Sequence, residues 1–171
     1  MKELWSPWRM EYILREKPKG CIFCTACAEQ RDQENLILHR GKHNFVMMNR
    51  YPYNNGHLMV VPYRHVSMLT DLTIEEQVNM MSLVNSSVEV LQEVMRPDGF
   101  NIGMNLGAPA GAGIKDHIHM HIVPRWVGDT NFMPVFADTR VIVEALEQSY
   151  SKLKPVFDCK CVVSVTQEKP D

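Results

Sequence analysis

The chain has 171 residues, enough for one domain that buries roughly 70 % of its unfolded surface without a disulfide framework. Its 45 % hydrophobic and 22 % charged residues are globular proportions and exclude disordered, collagen-like and coiled-coil classes. With 18 basic against 20 acidic residues and a formal charge of -2, no basic field exists to gather nucleic acid or an anionic membrane. No nucleic-acid partner is expected, and a polyanionic ligand has to be held by local geometry.

The longest apolar stretches, such as residues 45–48 and 58–62, fall far short of the roughly 20 residues that cross a bilayer, so no membrane span is expected. The opening MKELWSPWRM lacks the apolar core of a secretory signal. Five cysteines form two clusters, Cys21, Cys24 and Cys27, then Cys159 and Cys161. That is a metal pattern rather than a disulfide pattern, and a cytoplasmic location is expected.

In chain order, β-prone apolar runs at 36–38, 45–48, 58–61 and 100–104 predict strands. Between the second and third, RYPYNNGH supplies turn residues, so those two strands form an antiparallel hairpin. Thr73 followed by Glu76 is a capping box. Ile74, Val78, Met81, Val84, Val88, Leu91 and Met95 then recur at helical spacing as far as Pro97, which predicts one long helix. Asp138 can cap a C-terminal helix bearing Val141, Ala145, Leu146 and Ser149, with Pro155 beyond its end. These elements predict an α+β domain with an antiparallel sheet. It spans 1–171, with a core at about 21–128, an N-terminal arm at 1–20, and a C-terminal helix and tail at 138–171.

The most informative segment is HIHMHIVP at 117–124. Along a strand, His117, His119 and His121 point to one side and Ile118, Met120 and Ile122 to the other. Two chemistries use such a row. Three imidazoles can hold a catalytic zinc with an open position, or one neutral imidazole can act as a nucleophile while its neighbours position the reacting group. The preceding segment, NLGAPAGAGIKD at 105–116, is rich in small residues whose amides can cradle phosphate without side-chain charge. Beside three aligned histidines it reads as a loop that places phosphate against a nucleophile.

HIHMHIV resembles the signature of the histidine triad (HIT) superfamily of nucleotide hydrolases and transferases. CIFC, VMMNRYPYNNGHLMVVPYRHV, GMNLGAPAGAG and VPRW extend the likeness from about Cys21 to Gly128. The segments GMNLG, AGAGI and PRWVGDTNFMP are most similar to the bacterial diadenosine tetraphosphate phosphorylase (ATP adenylyltransferase) branch. The resemblance implies a HIT-like fold and an edge-to-edge homodimer. It implies a reaction in which His119 attacks the α-phosphorus of an adenine dinucleoside polyphosphate, forms adenylyl-histidine, and is released by inorganic phosphate in a phosphorylase; the alternative is a HIT hydrolase in which water releases it, acting on a dinucleoside polyphosphate or an adenosine phosphoramidate. His121 would contact phosphate oxygens, His57 would stand beside the triad, and Asn49 would contact ribose. Where much of the family has Gly-Gln-Ser/Thr-Val before the triad, this chain has Ala112-Gly113-Ile114-Lys115. Phosphate contacts therefore fall to Asn105, Lys115 and the backbone around Gly111, Gly113 and Ile114.

Cys21 and Cys24 have the spacing of a zinc knuckle and need two further ligands. The resemblance supplies His65 and His117, which implies a structural zinc. Cys27, or Cys159 with Cys161, are rival ligands. Trp5, Trp8 and Trp126 are candidates for core or interface packing and for stacking on adenine. Arg125 is either an attractor of anionic substrate or a structural arginine.

Overall fold

The computed structural model describes residues 20–129 and 144–165. The readings of Trp5, Trp8, the N-terminal arm, Asp138, Val141 and the last residues lie outside them, as does the side chain of Cys161. The α+β expectation holds. One antiparallel sheet has strand order β1-β2-β3-β5-β4, with β1 Ile37–Arg40, β2 Asn44–Met48, β3 Leu58–Pro62, β4 Gly99–Met104 and β5 Met120–Arg125. Helices α1 (Ile22–Ala28) and α2 (Asp32–Asn35) precede β1, α3 (Ile74–Met95) joins β3 to β4, and α4 (Leu146–Val165) follows β5.

The two short helices were not expected, because seven and four residues carry too little periodicity to read. Leu36 is not in the first strand as expected. It caps α2 in the left-handed conformation, at φ 58° and ψ 29°. The hairpin forms as read, with β2 paired to β3 from Asn44↔Pro62 to Met48↔Leu58. Its turn depends on Gly56, at φ +70°, where an added Cβ would sit 2.5 Å from Met95 Sδ. Both facts disfavour a side chain there.

Helix α3 begins at the capping box: Thr73 Oγ1 accepts the Glu76 N–H at 3.3 Å and Glu76 Oε2 accepts the Thr73 N–H at 2.7 Å. It stops at Arg96, in the left-handed region ahead of Pro97. The expected apolar stripe is only half right. Val84 and Leu91 are buried, but Ile74, Val78 and Met81 are 76 %, 64 % and 49 % exposed, and Met80, Leu83 and Val90 take the core positions. Polar contacts at the start of the helix set this rotation. Glu76 binds the Arg64 guanidinium, and Asn79 Oδ1 accepts the main-chain N–H groups of His43 and Asn44, each at 3.1 Å. Glu76, Asn79, Met80 and Leu83 are thereby turned to the sheet.

Pro155 lies inside α4, not beyond it. It sits on the exposed side, so the Ser151 carbonyl that loses its helical partner meets water, and the helix tolerates the ring. Leu153 and Phe157 on the opposite side are fully buried, and the Tyr150 hydroxyl donates to the Ile37 carbonyl at 3.1 Å.

The sheet separates two cores. On one face Val46, Met48, Leu58, Val60, Ile118 and Ile122 pack with α3 and α4. On the other, Phe45, Met47, Met59 and Val61 pack with Phe23 and Ala26 of α1. The alternation read from HIHMHIV is what allocates residues to these faces.

Candidate active site and metal centre

The triad enters the sheet late. β5 begins at Met120, so His117 and His119 lie in the approach to the strand rather than in it as expected. A backbone bond from Ile118 N–H to the Val66 carbonyl at 2.7 Å holds this approach. All three rings are buried, at 1 %, 6 % and 8 % exposure.

Backbone groups dictate the tautomer of each ring, because a carbonyl only accepts and an amide N–H only donates. His117 Nε2 donates to the Pro62 carbonyl at 2.9 Å, so its Nδ1 carries a lone pair, 3.2 Å from Cys21 Sγ and 3.6 Å from Cys24 Sγ. His119 Nδ1 donates to the His117 carbonyl at 2.9 Å, which leaves the Nε2 lone pair unprotonated. Main-chain N–H of Tyr53 donates to His57 Nδ1 at 3.0 Å. His57 therefore carries its proton on Nε2 and donates to His121 Nδ1 at 2.9 Å. His121 in turn carries its proton on Nε2.

Burial disfavours the charged form of the three triad rings. Desolvation lowers the pKa of His117 and of His119 below the ordinary imidazole value, and their carbonyl partners oppose it only in part. His121 is pushed down to about 4, by desolvation first and then by the nearby His119. The Phe23 ring stands 4.9 Å from the His119 ring and 5.4 Å from that of His117, and His119 meets His121 edge-on at 4.6 Å. A neutral imidazole with one bare nitrogen, beside a second that presents an N–H, can attack an electrophile and stabilise charge on what departs.

Cys21, Cys24, His65 and His117 bring four ligand atoms within 4.8 Å of one another, and the set can hold a metal. Two sulfurs and two imidazole nitrogens make a closed tetrahedral donor set. The thiol of Cys24 is pushed above its usual pKa by desolvation, then by Cys21 and Cys27, a cost that a bound cation offsets. Among the described residues the rival ligands are not in this group. The Cys27 Sγ lies 3.6 Å from Arg40 Nη1, and Cys159 is exposed on α4. The three triad histidines do not form a metal group of their own, since the free nitrogen of His117 faces the cysteines.

The hairpin loop places Asn49 beside this chain of rings. Its Oδ1 accepts the Tyr51 N–H at 2.9 Å and its Nδ2 lies 3.3 Å from His57 Nδ1. In the glycine-rich loop the amides of Ala110, Gly111 and Ala112 turn back to the carbonyls of Gly107 and Ala108. Asn105 Nδ2 braces the loop against the Gly111 carbonyl at 3.5 Å. In the stretch after it Gly113 and Lys115 are exposed and Ile114 packs onto the core under α1. Arg125 is structural: it grips Asp129 with two nitrogens, at 2.7 and 2.8 Å, and reaches Asn101 at 2.8 Å. Trp126 is half-buried, and its main-chain N–H joins that clamp at Asp129.

Sequence reading missed Phe23, Tyr53, the Pro62 carbonyl and Gly103. Register puts Gly103 directly across from His121, with nothing within 4 Å of where a Cβ would stand. The missing side chain leaves open space on the histidine face. Only Phe23 and Tyr53 carried a signal, by lying inside CIFC and RYPYNNGH.

Among the described residues no helix is long and apolar enough to cross a membrane. A curated relative from Mycobacterium tuberculosis, AP-4-A phosphorylase, is 41 % identical over 157 residues, covering 87 % of this chain and 80 % of that one. Bis(5'-nucleosyl)-tetraphosphatase [asymmetrical] of Schizosaccharomyces pombe is 29 % identical over 121 residues, 71 % of this chain and 63 % of that one. Among solved structures, a zinc-bound histidine triad family protein from Mycobacterium smegmatis superposes with a TM-score of 0.66 at 24 % identity, covering 84 % of this chain and 97 % of that one. The HIT domain family model matches residues 30–127, more than half of the chain, and the chain belongs to the HIT domain family.

Proposed function

We propose that this chain is a nucleotidyl-transfer enzyme that cleaves dinucleoside polyphosphates, converting diadenosine tetraphosphate and phosphate to ATP and ADP. The observation that carries the reading is the bare Nε2 of His119, fixed by the bond from its Nδ1 to the His117 carbonyl. In the first step that lone pair attacks an α-phosphorus, a P–N bond forms, and the bond to the bridging oxygen breaks. ATP departs, steadied by the Nε2–H of His121. In the second step an oxygen of inorganic phosphate attacks the same phosphorus, the P–N bond breaks, and ADP leaves with His119 restored. Asn49 at the hairpin would contact ribose. Gly111, Gly113, Ile114 and Lys115, with Asn105 bracing them, would shape the phosphate site, and His57 would hold His121.

The 41 % identity to AP-4-A phosphorylase supports phosphate as the acceptor. If water resolved the intermediate, the enzyme would be a hydrolase releasing AMP. Intact-mass measurement after brief mixing with diadenosine tetraphosphate tests the first step: native protein gains one adenylyl group and His119→Ala gains none. Product analysis under saturating phosphate tests the second, since absence of ADP defeats the phosphorylase reading.

The two-sulfur, two-nitrogen donor set suits zinc, held by Cys21, Cys24, His65 and His117 in a reducing compartment such as the cytoplasm. Bound there, zinc would supply a cross-link and no chemistry at phosphorus. A homodimer is supported by the position of β4 at a sheet edge, where Ile102 is exposed, and by the exposed Ile74, Val78 and Met81 of α3.

A further inference from the structure

The RYPYNNGH hairpin is more than a connection, because one of its residues touches the catalytic rings in two ways. The main-chain N–H of Tyr53 donates to His57 Nδ1. Its side-chain ring lies 4.6 Å from the His57 ring and 5.6 Å from the His121 ring, while 45 % of the residue stays exposed. His57 itself is 1 % exposed and bonds His121 across 64 residues of sequence. An imidazole has two nearly equivalent protonation sites, and in the absence of a partner both tautomers are populated. Here a group that can only donate occupies one nitrogen of His57, and the choice is passed on through His57 Nε2–H to His121.

We propose that Tyr53 is a positioning residue: its main-chain N–H places the proton of His57, and through it that of His121, on Nε2, and its ring covers the pair. This deepens the nucleotidyl-transfer reading, which needs His121 to present an N–H rather than a lone pair to the departing phosphate.

The test is long-range proton–nitrogen NMR on the full chain, labelled with nitrogen-15 at histidine, without substrate. Native protein is expected to show His57 and His121 each as a single Nε2–H tautomer. Tyr53→Phe keeps ring and backbone and should match it in spectrum. Tyr53→Pro deletes that main-chain N–H and removes the ring. It should show a mixed His121 tautomer and a kcat reduced at least about tenfold, less than the roughly hundredfold or more of a lost proton donor because part of the population keeps Nε2–H, with KM changed less. His57→Phe, which deletes the relay together with its bond to the loop, should give the same mixed His121 signal. A native His121 protonated on Nδ1, or a Tyr53→Pro protein with native spectrum and kcat, overturns the proposal. A native tautomer pattern in a protein that never becomes adenylylated would instead refute the functional reading and leave this one standing.

Discussion

Replacing Glu76 by Gln tests how the first turn of α3 is fastened to the loop that carries His65. The carboxyl is 7 % exposed and sits 2.6 Å from Arg64 Nε, with Arg64 Nη2 bound at 2.7 Å and the Thr73 N–H also at 2.7 Å. Arg64, the first cause, and the Thr73 backbone bond pull its pKa from 4.5 to about 2, against desolvation. At about 1.4 kcal/mol per unit this sets a ceiling of about 3 kcal/mol. The guanidinium is half-exposed, so solvent screening brings the expected loss in Glu76→Gln to about 2 kcal/mol at pH 7. Because the folded pKa is depressed, the stabilisation is complete above the unfolded value of 4.5 and is lost as pH falls toward 2. Urea midpoints for both proteins, measured at pH 7, 4 and 3, should therefore converge as the solution is acidified. A gap that stays constant across that range, or that is under about 0.5 kcal/mol at pH 7, would refute the ion-pair account.

Gly56→Ala forces a side chain into a left-handed position against Met95 and Leu91 and should cost about 1–3 kcal/mol in urea unfolding; an unchanged midpoint would contradict the packing described. Gly103→Val faces open space across from His121, so the thermal midpoint should hold while KM for diadenosine tetraphosphate rises several-fold; unchanged KM would place substrate elsewhere. Metal analysis should find one zinc in the native protein and in Cys27→Ser but substoichiometric zinc in His65→Ala, with a lowered melting temperature after chelation. Full zinc in His65→Ala would remove that residue from the ligand set.

The sheet, the hairpin, the long helix and the two-sided triad were legible because each depends on local signals. The capping box at Thr73 and Glu76, the turn residues before His57 and the alternation of His with Ile and Met are readable within a few positions. What was hidden depends on contacts made far along the chain. The rotation of α3 is set by Arg64 and Asn44, and two competing apolar stripes on one helix cannot be ranked from spacing alone. Pro155 is tolerated in α4 because that side faces water, which only the assembled fold decides. Four metal-ligand positions could be named by likeness to relatives, yet the tautomers could not, since they come from the carbonyls of Pro62 and His117 and the amide of Tyr53. Main-chain atoms leave no mark in a sequence.

His117 divides its labour between side chain and main chain. The ring turns toward the cysteines, but what steadies the proposed nucleophile, His119, is a peptide oxygen, which every amino acid possesses. Selection can therefore exchange this residue, and give up the proposed metal cross-link, without unsettling the proton on His119. Anchorage and reactivity share one position in the chain and remain separately heritable.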